Sequence, residues 1–253
     1  MQTRAQTRRI DDAEQTREKL IAAAEQLFAR QGIHQVRLRE IYALAGQRNS
    51  SALHYHFGTR EGLVEAILLA HQSRADESIK ARLDRLEATG RPVSLRQLLE
   101  AVVPAMTEQL GSDSGRNFLR IIPQILDQLS HNLRSGKAQP ATLQSRRVLS
   151  LLESALPDLP EPLRRERIVT YVVTLTALLA ERAHHLESGI RPTIDNREFS
   201  GHLVDTLEAI LQAPSHRSGP SAPSQGRNGS SSQPRPDRLD TEPKRRAPRS
   251  RAK

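Results

Sequence analysis

The strongest constraint on this chain is an apolar period of about 3.6 residues that recurs from Asp12 to Ala213 and is interrupted mainly at glycines. Between Asp12 and Gln31 the apolar side chains are Leu20, Ile21, Ala24, Leu27 and Phe28. They fall at i, i+1, i+4, i+7 and i+8, one stripe of a helix. Asp12 or Thr16 suits an N-cap there, and Gly32 suits a left-handed stop. A short helix is expected from about Arg37 to Leu44, ending at Ala45-Gly46, and another from about Ser50 to His56. Gly58 breaks the latter, and Thr59 caps a long helix from Arg60 to about Ala88. Three glycines thus mark three joints among four helices, where a sharp joint calls for a positive φ.

The second half reads the same way. Gly90-Arg91-Pro92 is a break, and Ser94-Leu95-Arg96-Gln97 is a capping box that opens a helix to about Leu110. A loop from Gly111 to Gly115 precedes a helix from Asn117 to Leu129 with a kink at Pro123, then a loop from His131 to Pro140. Helices are expected at about 141–155, 161–187 and 196–212. The last two carry broad apolar faces: Ile168, Val172, Leu175, Leu179 and Leu186 on one, Phe199, Leu203, Leu207 and Ile210 on the other. No strand pattern or internal repeat stands out, so the expected fold class is all-α.

Charge divides the chain differently. Residues 1–67 carry ten Lys/Arg and eight Asp/Glu, residues 68–213 eighteen of each, and residues 214–253 ten against three. Most of the net +9 therefore belongs to the last forty residues, and the basic balance alone is weak evidence for a DNA-binding fold. Seven of those forty residues are proline, and Leu239 is their only large apolar residue. The segment 214–253 is expected to be a disordered basic tail, because it cannot bury enough surface to offset its ordering entropy. Cysteine is absent, which removes disulfides, thiolate catalysis and cysteine zinc sites from consideration. No apolar run reaches the roughly 20 residues that span a bilayer, and the N-terminus has no signal-peptide core. The expectation is a cytoplasmic protein with no membrane partner.

Residues 37–57 carry the functional reading. A helix-turn-helix needs two short helices joined by a tight turn at a steep angle. Its second helix must enter a major groove about 12 Å wide. Leu38, Ile41, Ala45, Leu53 and Phe57 can form the inner face, and Asn49, Ser50, Ser51 and His54 the outer one. Asn pairs with adenine, Arg with guanine and Ser with either. A plain helical hairpin with a solvated face fits these residues equally well.

The motif Thr16-Arg17-Glu18-Lys19-Leu20-Ile21-Ala22-Ala23-Ala24, then Leu27-Phe28-Ala29 and Gly32, Leu38-Arg39-Glu40-Ile41, Ala45-Gly46, and the run from His54 to Leu63 resemble the DNA-binding domain of the TetR (tetracycline-repressor) family over roughly residues 14–70. The resemblance implies a DNA-binding domain at 12–62 and a helical ligand-binding and dimerisation domain at 63–213. It implies a ligand-responsive repressor that binds a palindromic double-stranded DNA operator as a homodimer, with an unidentified small-molecule effector, no catalytic activity and no cofactor. Leu53 matches a core leucine of the recognition helix, Tyr55, His56 and Phe57 a closing aromatic cluster, and Arg60 a basic residue at the start of the fourth helix. There a helix N-terminus and a cation both favour a phosphate.

The departures are specific. Gly46 to Phe57 is one residue longer than the family pattern, so the turn Gln47-Arg48-Asn49 is expected to bulge. His54 stands in place of a tyrosine, Tyr42 in place of a small alanine, and Arg37 in place of a capping Ser or Thr. Arg48, Asn49, Ser50 and Ser51 are the expected base readers. Arg37, His54, Tyr55 and Arg60 are the expected phosphate contacts, which position a protein without specifying sequence. A protonated His54 would make affinity depend on pH.

Other constellations are weaker. Arg4, Arg8 and Arg9 form a basic arm before the first helix, as able to reach DNA as to remain solvated. Glu181, His184 and His185 share part of a helix, but a di-iron bundle needs a second Glu-x-x-His and further carboxylates. Met106, Phe118, Ile122 and Leu175 are candidate linings of an apolar effector pocket, and equally ordinary core residues. Two other classes stay open: a helical-bundle metalloenzyme, and a ligand-independent architectural DNA binder aided by its basic tail.

Overall fold

A computed structural model of the chain describes residues 2–47, 51–137 and 142–214, with side chains from Asp12 onward except at residues 51 and 52. The segment 215–253 lies outside the described residues. The described residues are helices joined by turns. They are α1 (Gln2–Gln31), α2 (Leu38–Leu44), α3 (Ser51–Phe57), α4 (Arg60–Glu87), α5 (Leu95–Thr107), α6 (Asp113–Ile121), α7 (Leu126–Arg134), α8 (Leu143–Ser154), α9 (Glu161–Glu187) and α10 (Asn196–Gln212). Single turns of 3-10 helix follow α5 (Glu108–Gly111) and α6 (Ile122–Ile125).

The all-α expectation holds, with local corrections. Helix α1 starts at Gln2 rather than near Asp12, so Arg4, Arg8 and Arg9 sit on helical backbone. Nothing in Gln2 to Asp11 breaks a helix. Thr16 donates its hydroxyl to the Asp12 carbonyl at 2.8 Å inside this helix, so neither residue is a cap. The expected loop at 111–115 is the start of α6, because the Ser112 side chain accepts from Gly115 N–H and caps it. The expected kink at Pro123 separates two helices through a 3-10 turn. Proline lacks the N–H that would continue the α ladder. Helix α7 runs on through His131 to Arg134.

The capping box at Ser94 forms as expected: Ser94 Oγ accepts from Gln97 N–H at 3.2 Å, and Gln97 Oε1 accepts from Ser94 N–H at 3.0 Å. Thr59 accepts from Gly62 N–H at 3.1 Å and opens α4. Each such cap contributes about 1 kcal/mol.

Two apolar cores result. The smaller joins Leu20, Ala24 and Phe28 of α1 to Ile41, Leu53, Leu63, Val64 and Ile67, with Ile121 of α6 added. Phe28, Leu53 and Leu63 are at most 1% exposed, and each contributes about 1.5–3 kcal/mol by leaving water. The larger core draws on the C-terminal half of α4 with α5, α6, α8, α9 and α10. Helix α4 runs unbroken from one core into the other, so Leu63, Val64 and Ile67 pack in the N-terminal core although they lie beyond residue 62.

Polar bonds also cross the seam. Gln124 Oε1 accepts from Ile33 N–H at 2.7 Å, and its Nε2 donates to the carbonyls of Phe28 at 3.2 Å and Arg120 at 3.1 Å. The end of α1 is thereby tied to the turn after α6.

Candidate nucleic-acid interface

Helix α2 begins at Arg37, whose extended backbone (φ −84, ψ 139) enters the helix and whose N–H donates to the Glu40 carboxylate at 3.4 Å. Ile41 is fully buried and fixes the inner face. The helix ends in a reversal in which Gly46 N–H donates to Ala43 O at 3.2 Å and Gln47 N–H donates to Tyr42 O at 2.9 Å. That pair of bonds is a Schellman closure. It requires the left-handed conformation that Gly46 adopts, at φ +68.

Helix α3 is anchored by Leu53, 1% exposed in the smaller core. Its outer face carries His54 and Tyr55, both exposed. His54 Nδ1 lies 2.8 Å from the Gly58 carbonyl. The carbonyl can only accept, so Nδ1 carries the hydrogen and Nε2 is left for another partner. Tyr55 is 82% exposed, with its ring edge-on to His56 at 5.1 Å. It does not pack the helix against its neighbours, as the aromatic-cluster resemblance implied. That work falls to Phe57, which packs on the smaller core under the Arg17 guanidinium at 5.7 Å. A tyrosine standing this far into solvent is available to a phosphate.

The remaining candidates separate. Arg37 is exposed beside the start of α2. Arg48, Asn49 and Ser50 lie outside the described residues, and Ser51 opens α3 with its side chain not described. Arg60 is half-buried. Its Nη1 donates to the Ile33 carbonyl at 2.5 Å, and its guanidinium lies 5.9 Å over the Phe28 ring. The cation thus closes the joint between α1 and α2. The positive end of α4 is occupied as well. Glu61 there is held below the usual carboxylate range by its own backbone N–H and then by the Thr59 hydroxyl.

The four candidate pocket residues pack in the larger core. Phe118, Ile122 and Leu175 are buried and Met106 is partly so. Cavities are present among the described residues. An open one of about 550 Å³ lies between α5 and α10, lined by Arg96, Glu100, Thr107, Arg197 and Ser200 among others. A smaller one of about 130 Å³ lies among Leu133, Leu149, Glu153, Arg165 and Ile168. None of the four residues lines either. Glu181 and His184 are exposed on α9, and among the described residues no three His, Cys, Asp or Glu side chains converge as metal ligands. No helix described is long and apolar enough to cross a membrane.

Sequence reading missed the polar residues that hold the two cores together. Gln124 and Ile33 are 91 positions apart, and Glu25 and His71 are 46 apart. Neither pair belongs to a motif or shares a helix face. A polar residue on an otherwise apolar stripe, such as Glu25 between Ala24 and Leu27, was the one available signal.

Residues 20–67 match the family described as bacterial regulatory proteins, tetR family. The chain is 32% identical over 108 residues to the probable HTH-type transcriptional regulator ArpR of Pseudomonas putida, covering 40% of this chain and 49% of that protein. The same figures hold for the HTH-type transcriptional regulator TtgR, also of Pseudomonas putida. The match thus spans about half the length of these curated relatives. Among solved structures, NalD, described as the secondary repressor of the MexAB-OprM multidrug efflux pump in Pseudomonas aeruginosa, aligns with a TM-score of 0.49 at 19% identity, covering 79% of this chain and 97% of that one. A gamma-butyrolactone receptor, an ArpA-like protein, aligns with a TM-score of 0.39 at 24% identity, covering 78% and 98%. Helices α2 and α3 both fall inside the segment 20–67 that is similar to the tetR family of bacterial regulatory proteins.

Proposed function

We propose that this chain is a transcriptional regulator that binds a two-fold symmetric DNA operator as a homodimer and leaves it when a small molecule binds the larger helical domain. The observation that carries this reading is the α2–turn–α3 unit. Its inner face is buried at Ile41 and Leu53 while its outer face presents His54 and Tyr55 to solvent. Arg48, Asn49, Ser50 and Ser51 read bases, and Arg37, His54 and Tyr55 contact phosphates. Arg60 holds the joint behind them.

One recognition helix reads only a few base pairs, so specificity calls for two copies on symmetric half-sites. Helices α9 and α10 supply the surface on which the copies pair. An effector acts by favouring a geometry in which the two α3 helices no longer match the half-site spacing, which demands different affinities for the two states. The DNA-binding unit is taken as residues 12–62 with the first turns of α4, and the sensing unit as the remainder to Ala213. The basic segment 214–253 adds salt-dependent attraction for any DNA.

Selection of duplexes by the full chain from a random-sequence pool tests the reading. Enrichment of an inverted repeat with half-site centres about one helical turn apart, or a multiple of it, is expected. Recovery of duplexes with no shared sequence would support an architectural binder and overturn the operator.

A further inference from the structure

A buried polar cluster lies between the two cores, away from the DNA face. Glu25 of α1 and His71 of α4 are 4% and 2% exposed. His71 Nε2 stands 3.0 Å from Glu25 Oε2, and Nδ1 stands 3.1 Å from Gln109 Oε1 in the turn after α5. Ser114 Oγ of α6 is 3.3 Å from Nε2, and the ring stacks on Phe118 at 4.4 Å with planes 7° apart. Both ring nitrogens therefore face acceptor oxygens, and only the imidazolium donates from both.

The other charges at this seam are engaged elsewhere. Arg116 of α6 bonds Asp113 and faces Glu187 of α9 at 3.7 Å, and Arg30 of α1 faces the same Glu187 at 3.6 Å. Glu108, beside Gln109, pairs outward with Arg82 at 2.6 Å. Among the described residues, His71 is the basic side chain within ion-pair distance of Glu25.

We propose that Glu25 and His71 are positioning residues for DNA binding: protonated His71 clasps α1 to α4 and α6 and sets the angle at which the helix-turn-helix is held. The same α1 that carries Glu25 carries Leu20, Ala24 and Phe28, the floor on which α2 and α3 rest. Loss of the proton leaves a buried carboxylate without its cation, which is strongly unfavourable. The contact then opens and the binding-competent geometry is less populated. This inference rests on the DNA-binding reading of residues 37–60 and adds control of that site by protons.

The test uses the full chain and a duplex recovered by selection, with affinity measured from about pH 6 to pH 8.5, the range in which histidine changes charge. The chain lacks native cysteine, so spin labels at Ala43→Cys and Glu77→Cys, both exposed positions, report the distance between the two cores. Affinity is expected to fall about fivefold or more as pH rises, and the label distance to broaden in step. Glu25→Gln and His71→Gln remove that part of the slope. His54 is present in every chain, so its own contribution is common to all. The apolar pair Glu25→Leu with His71→Phe guards against simple misfolding; it should fold and bind with an affinity that no longer follows the joint's titration. A slope that survives unchanged in both glutamine variants, or a label distance indifferent to pH, overturns the proposal. Failure to enrich any duplex sinks the DNA reading alone, and the label distances then decide the joint.

Discussion

The two cores are built from the same kind of helix but hold their shape by different means. The smaller one depends on short elements: α2 and α3 have seven residues each, too few to be stable alone. Their positions follow from left-handed glycines at the joints and from single buried anchors such as Ile41 and Leu53. The larger core packs α9 and α10, of 27 and 17 residues, against α5 and α6 along extended apolar faces. A structure set by joints shows its function in a few outward residues. One set by long faces can change its interior without changing its outline.

Leu53→Ala should have the largest effect on this contrast. The side chain is 1% exposed, and its truncation should cost about 2–5 kcal/mol. Helix α4 and the Gln124 and Glu25–His71 bonds bridge the cores. A single cooperative transition at lower denaturant is therefore expected by circular dichroism, together with loss of duplex binding. An additional early transition would show that the smaller core unfolds alone and that the bridge is weak.

The same contrast explains what was legible in the sequence. Bounds for α9 and α10 match the expected 161–187 and 196–212, because Pro162 and Asp195 mark the starts and long apolar periods fix the extent. The glycine joints around α2 and α3 were legible because a positive φ has few other tenants. Two kinds of feature were not. Met106, Phe118, Ile122 and Leu175 carry the same apolar period whether they line a pocket or fill a core, so spacing alone could not place them. The bond from Arg60 to the Ile33 carbonyl, 27 positions earlier, was not foreseen either. Contacts between distant positions leave no local pattern. The lengthened turn adds a third limit, since three of the four expected base readers fall at residues 48–50, outside the described residues.

Gly46→Ala should give a smaller and purely conformational effect. Nothing lies within 4 Å of where its Cβ would sit, so packing is untouched. The backbone, held at φ +68 by the Schellman bonds, would be strained by about 1–2 kcal/mol. Asparagine, which tolerates this region better, should recover part of the loss. Matched thermal melts of the two variants measure it. Equal stability of Gly46→Ala and the parent would mean that the joint relaxes freely, and that the smaller core is not organised by its turns.

Arg37→Ala should change stability least and function selectively. The side chain is exposed, makes no capping bond, and leaves the Glu40 contact to its own backbone N–H. A change within about 0.5 kcal/mol is therefore expected in denaturation. If Arg37 touches a phosphate, its loss should weaken selected and unselected duplexes alike, and lower the salt slope of binding by about one. Discrimination between the two duplexes should persist, because a phosphate contact positions the protein without reading a base. A drop confined to the selected duplex would instead make Arg37 a base reader. The reading surface would then begin at the start of α2 rather than within the turn before α3.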